Sequence, residues 1–273
     1  MDSLSNPPLS PWVRVLFLVV ALILCIGVGL LFIPSLVAPR WLWTLTPFNA
    51  RFLGAIYLTE LSVVILFLLN KRQSPGRVVL PSALTFVAII SVLSFFYLDH
   101  FDLQRRATIV WFVIYIGPTL ILTYLLWIYR RLFAAVTGRL PHPWPILMMV
   151  EGLLLLIYAL GLLIDPARFG ANWPWTLDSF HARMYSAFFF TLAGGAFVVA
   201  RRAGRLDILA SGIAQTVTGV GVIGGFVVTN LVVRRVEWLA GETWMWLGMF
   251  VGIGLIGVLL IGVSRQEFQE GLP

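Results

Sequence analysis

Eight stretches of this chain run almost without charge for the ~20 residues that a bilayer-crossing helix needs. They fall at roughly 12 to 34, 52 to 70, 78 to 98, 107 to 128, 145 to 164, 181 to 200, 207 to 231 and 243 to 264. At a rise of ~1.5 Å per residue each covers the ~30 Å of a hydrocarbon core. Backbone amides in lipid must be satisfied within the segment, so the stretches fold as helices; a barrel would show alternation over segments of ~10 residues instead. With 60% apolar and 11% charged residues and a mean hydropathy of +0.95, there is too little polar material to wrap a soluble core. The expected fold class is an all-α membrane protein with eight transmembrane helices.

The eight are expected to form two parallel four-helix repeats. Trp41-Leu42-Trp43-Thr44-Leu45-Thr46-Pro47-Phe48-Asn49-Ala50-Arg51 returns without a gap as Trp173-Pro174-Trp175-Thr176-Leu177-Asp178-Ser179-Phe180-His181-Ala182-Arg183, at an offset of 173 minus 41, or 132. Across 33 to 60 and 165 to 192 ten of 28 positions are identical, including Pro34/Pro166, Ala55/Ala187 and Thr59/Thr191. The offset lays span one on span five and so on in register, which divides the chain into repeats at 1–132 and 133–273. A four-span unit starts and ends on one side of the membrane, so the copies are parallel rather than inverted. Pro34 matching Pro166 also argues that the first span is a retained helix and not a cleaved signal.

Arginine placement sets the expected orientation. The side carrying the termini holds eleven cations, Lys71 among them, against four acids; the opposite loops hold eight against six. Cations are retained in the cytoplasm, so the expected location is the cell membrane, multi-pass, with N- and C-termini cytoplasmic. The sequence pI of about 10.2 then reflects topology and attraction to the headgroups of the lipid bilayer, and no nucleic-acid partner is implied.

The repeated motif reads first as an anchor. Thr46 before Pro47, and Asp178 before Ser179, are helix N-caps. Trp43 and Trp175 sit at headgroup level, and Arg51 and Arg183, one turn inside, snorkel to phosphate or pair with an acid such as Asp178. The functional alternative is an outer, anion-attracting mouth formed by the two arginines. W-x-W-x-L-T-P-x-x-A-R at the head of a transmembrane helix resembles a pattern in bacterial polytopic membrane proteins with no assigned function. The resemblance covers residues 41 to 60 and, altered, 173 to 192. It implies the eight-span architecture and no substrate, cofactor or catalytic residue.

A carboxylate near the bilayer centre costs at least ~2.5 kcal/mol, so Glu60 and Glu151 are the strongest functional pointers. Their counterparts at the same offset are Leu192 and Val19, so the acids are not duplicated. Each either pins helix packing through a hydrogen bond or serves as an intramembrane titratable or ion site. Tyr57, one turn from Glu60 on the same face, and Gln215 are candidate members of such a site. The spacings Gly221/Gly225 and Gly248/Gly252 suggest close helix contacts. No lysine lies in a span for a Schiff base, no span carries paired histidines for haem, and no nucleotide loop, nucleophile elbow or HExxH is present, so neither a metal nor a cofactor is expected. Asp99, His100 and Asp102 read as a solvated loop. An enzyme is not expected, an intramembrane lipid-acting one being the residual case. Two functions remain open: a proton-linked small-solute or ion transporter or channel, and a non-catalytic structural subunit that meets membrane-protein partners in a larger complex.

Overall fold

The computed structural model describes residues 6–134 and 138–269, with side chains described for 6–131 and 138–265. The described residues hold ten α-helices and no strand: α1 (Pro11–Phe32), α2 (Pro34–Val37), α3 (Pro47–Asn70), α4 (Gly76–Phe96), α5 (Arg106–Ala134), α6 (Trp144–Ile164), α7 (Pro166–Gly170), α8 (Ser179–Arg201), α9 (Arg205–Val233) and α10 (Gly241–Gln269). Eight of them, all but the short α2 and α7, are long and apolar enough to cross a membrane. The chain is a multi-pass membrane protein.

Local chemistry places the helix ends. Pro34 lacks the N–H that would continue α1, and Pro166 does the same after α6, so each long helix breaks into a short one. At α3 the Thr46 hydroxyl accepts from the Asn49 N–H at 3.2 Å, and at α8 the Asp178 carboxylate accepts from the His181 N–H at 2.9 Å. Both caps match the sequence expectation, since a short oxygen-bearing side chain satisfies an amide that has no partner within the helix. Asp207 closes the start of α9 by accepting from the Gly204 N–H at 2.9 Å.

Helices α3 and α8 are the most buried of the eight. α3 packs on α1 and α9, and α8 packs on α6 and α4; α4 carries α5, and α9 carries α10. α4 and α9 meet each other between the two groups.

Glycines permit the tightest of these contacts, though not all those expected. A Cβ at Gly54 would collide with the backbone of Leu31 at the end of α1, and one at Gly257 would collide with the backbone of Thr216 on α9. Gly219 and Gly254 likewise let α9 and α10 touch through backbone, with 2.7 Å from a Cβ at Gly219 to the Cα of Gly254. Gly248 and Gly252 correct the sequence reading: a Cβ on either meets nothing within 4 Å. They lie on the side of α10 that faces away from α9, where small size has nothing to accommodate. Gly221 and Gly225 do make contacts, against Ala55 and against Leu31 and Arg51.

Candidate functional site

The two copies of the repeated motif hold each other. Trp43 Nε1–H donates to His181 Nε2 at 3.2 Å, and Trp175 Nε1–H donates to Asn49 Oδ1 at 2.8 Å. Asn49 and His181 are counterparts at the offset, as are the two tryptophans, so the bonds are reciprocal. The rings follow the same exchange, Trp43 lying 5.2 Å from Phe180 and Trp175 stacking 5.1 Å from Phe48. The anchoring expected of these tryptophans is thus joined by a second role, a cross-brace between halves.

The arginines also reach other helices. Arg51 donates to Thr229 Oγ1 on α9 at 3.4 Å. Arg183 donates to the Leu163 carbonyl at 3.0 Å and to the hydroxyl of Tyr97, which matches Thr229 at the offset. Asp178 pairs with His181 Nδ1 at 2.5 Å instead of with Arg183. Because His181 Nε2 accepts from an indole, its Nδ1 carries the proton given to Asp178. Burial alone would push the Asp178 carboxyl up, but the bonds from the His181 ring and backbone outweigh it and hold the group at about 2, below its ordinary 3.8, because each favours the charged form.

Glu60 lies elsewhere, at a cavity of ≈ 570 Å³ built wholly from the first half. α1 leans on α3 and α5 on α4, and the cavity fills the space between α1 and α5, with α3 as its floor. Two of its wall residues, Ile26 on α1 and Val110 on α5, are 66% and 56% exposed, so the cavity wall reaches the outer surface of the helices. The polar groups on its wall are few: Arg40 and Trp41 at the motif end, then Tyr57 and Glu60 on α3 and Trp111 and Tyr115 on α5. Tyr57 and Tyr115 bond each other, hydroxyl to hydroxyl, at 2.9 Å. No hydrogen bond reaches the Glu60 carboxyl among the described residues. Trp41 and Leu42 also line an open vestibule on the motif side with Arg51 and Arg105, so they form the partition between the two spaces.

Behind Glu60 is a second, much smaller space of ≈ 50 Å³, and this one belongs to both halves. Thr59, Glu60 and Ser82 line it from α3 and α4, and Thr191, Ser211 and Gln215 from α8 and α9. The Thr59 hydroxyl bonds the Thr218 hydroxyl at 3.0 Å beside it. Gln215 Nε2 donates to Glu151 Oε2 at 3.1 Å, and Glu151 Oε1 and Gln215 Oε1 are buried without a hydrogen-bond partner among the described residues. Of the predicted site residues, then, Tyr57 and Glu60 share the large cavity, Glu60 and Gln215 the small one, and Glu151 joins through Gln215. Arg51, Arg183, Trp43 and Trp175 stand apart from them near the motif surface.

Sequence reasoning missed Trp41, Trp111 and Tyr115 on the cavity wall and Asn49 and His181 as latch acceptors. The latter had a signal, because both are polar at matched positions beside an apolar helix start. Trp111 and Tyr115 are four positions apart and so share a face of α5, with ring centroids 4.2 Å apart. No protein-family model, curated protein or solved structure matches this chain.

Proposed function

We propose that this protein is a proton- or cation-linked small-solute transporter whose intramembrane exchange site is Glu60. The observation that carries it is the position of that carboxyl, on the wall of a large, mostly apolar cavity and also on the wall of the small polar space between the halves. Gln215 extends the line to Glu151, in the second turn of α6 after its start at Trp144. Acids that only pin packing are sealed by a partner, whereas Glu60 faces open space.

The architecture proposed with it is a pair of parallel four-helix repeats, at 1–132 and 133–273. Reciprocal packing supports it, α1 on α3 as α6 on α8, α4 on α5 as α9 on α10, and α3 on α9 as α8 on α4. The paired Trp43–His181 and Trp175–Asn49 bonds support it at the level of side chains. The orientation proposed is cytoplasmic termini in the cell membrane, on the arginine asymmetry alone. The His181 ring, with Asp178 on one nitrogen and an indole N–H on the other, has no free base position, which speaks against hydrolytic chemistry there.

The test is proton flux in liposomes reconstituted with purified protein. The wild type is expected to dissipate an imposed pH gradient, and Glu60→Gln to reduce that flux at least about tenfold, an effect of ~1.4 kcal/mol or more. Equal flux from both, together with stoichiometric membrane proteins co-purifying in mild detergent, would replace transport with a structural-subunit role.

A further inference from the structure

We propose that the cavity between α1 and α5 binds a lipophilic organic cation, drawn laterally from the bilayer and held by Glu60 within a ring of aromatic side chains. The inference rests on the transport reading above and gives it a cargo class.

Three observations converge. The first is the wall itself. Trp41, Tyr57, Trp111 and Tyr115 all line the cavity, with Trp41 5.9 Å from Tyr57 and 6.2 Å from Trp111. Aromatic faces carry negative quadrupole charge and attract a desolvated cation within ~6 Å of the ring centroid, and cages of such rings recognise quaternary ammonium groups. The second is Glu60, an acid on the same wall with no hydrogen-bond partner among the described residues. A carboxylate facing a largely apolar space needs a counter-charge. No cationic side chain from α1, α3, α4 or α5 lines the cavity near it. Arg40 belongs to the motif end, where its guanidinium donates to the Leu36 carbonyl at 2.7 Å. The third is access. The vestibule on the motif side, beyond the Trp41–Leu42 partition, holds Arg51 and Arg105, which repel a cation, while the wall residues Ile26 and Val110 are exposed on the apolar outer surface of the helices. The volume of ≈ 570 Å³ suits a ligand of drug size, for which sites run from about 300 to about 1000 Å³.

An anionic lipid with its headgroup at the arginines and one chain in the cavity is the competing occupant. It leaves Glu60 against hydrocarbon, so the acid favours the cation. Two ions of matched size and shape separate the cases, tetraphenylphosphonium and tetraphenylborate. Equilibrium binding of each, radiolabelled, is measured on the full chain in lipid nanodiscs, with empty nanodiscs subtracted. The expected result is saturable binding of the phosphonium at one site per chain and none of the borate. Glu60→Gln, nearly isosteric, is expected to weaken the phosphonium about tenfold or more. Val20→Trp, which fills the cavity from α1 and leaves the carboxyl in place, is expected to abolish it, and thermal unfolding of each variant shows that it is folded. Equal binding of both ions, or phosphonium binding unchanged in folded Glu60→Gln, overturns the proposal. If the phosphonium fails to bind while Glu60-dependent proton flux persists, the cargo class is wrong and the transport reading stands. Binding without any flux leaves the site and removes the transport.

Discussion

The two halves of this protein share helix order and packing partners, yet one is hollow where the other is filled. On the floor of the first cavity lie Tyr57 and Glu60; the same positions in the second half are Phe189 and Leu192. Ile26 and Val37 line the first cavity, and their counterparts Tyr158 and Phe169 are large rings turned inward. Tyr158 packs edge-on against Phe189 at 4.9 Å and lies 6.1 Å from Phe169, closing the space that stays open in the first half. The filled half supplies a rigid wall; the hollow half can keep an acid and an opening because its partner is solid. An open cavity lined by an unpaired acid costs stability, and here that cost falls on one group of helices while the other is packed.

The comparison is most exposed to a truncation made on both sides. Phe189 is fully buried, so Phe189→Ala should destabilise by about 3–5 kcal/mol, the range for large aromatic deletions in packed cores. Tyr57→Ala, made in a Tyr115→Phe background so that no buried hydroxyl is left unpaired, removes a ring that already borders a void, and should cost about half as much or less, because little new cavity surface is created. Thermal unfolding in a single detergent measures both. Equal losses would mean that the first cavity is filled in the folded protein, and the asymmetry between halves would go with it.

The next effect tests what joins the halves. Asn49→Ala leaves the Trp175 N–H without its acceptor in a half-buried site, expected to cost about 1–3 kcal/mol. Asn49→Ala combined with Trp175→Phe removes donor and acceptor together. It should cost less than the sum of the two single changes, since no buried donor is then left unpaired. Strict additivity would show that the bond does not couple the halves.

Much of this is legible without coordinates. Span count and helix starts follow from hydrophobic run length and from Thr46-Pro47 and Asp178-Ser179, because those signals act locally. Glu60 and Glu151 stand out because a charge in an apolar run has no local explanation. What cannot be read is which helix each faces. Gln215 meeting Glu151 joins α9 to α6, and Trp111 and Tyr115 reach the Glu60 cavity only because α5 packs on α4 rather than on α1. The glycines teach the same point, since Gly252 and Gly257 look alike in sequence and only Gly257 faces a neighbouring backbone. Spacing fixes the face of a helix but not its partner.

The smallest expected effect concerns the one charged group that distinguishes the two motif copies, Asp178 where the first copy has Thr46. Its carboxyl is held at about 2 in the folded protein against an ordinary 3.8, so folding favours the ionised form. The stabilisation is fully present above about 4 and is lost as pH falls toward about 2, where the folded group also takes up its proton. The side chain is 56% exposed, so solvent screening keeps the effect well below what the shift alone suggests. Unfolding followed downward from about pH 5 should therefore show a shallow loss over that window in the wild type. Asp178→Asn should flatten it, because an amide caps the helix through its oxygen but does not titrate. Thr46→Ala should lower stability by the ~1 kcal/mol of a lost cap at every pH alike. If instead Asp178→Asn leaves the acid slope intact, the slope belongs to another group, and the two motif copies differ in sequence but not in how they respond to protons.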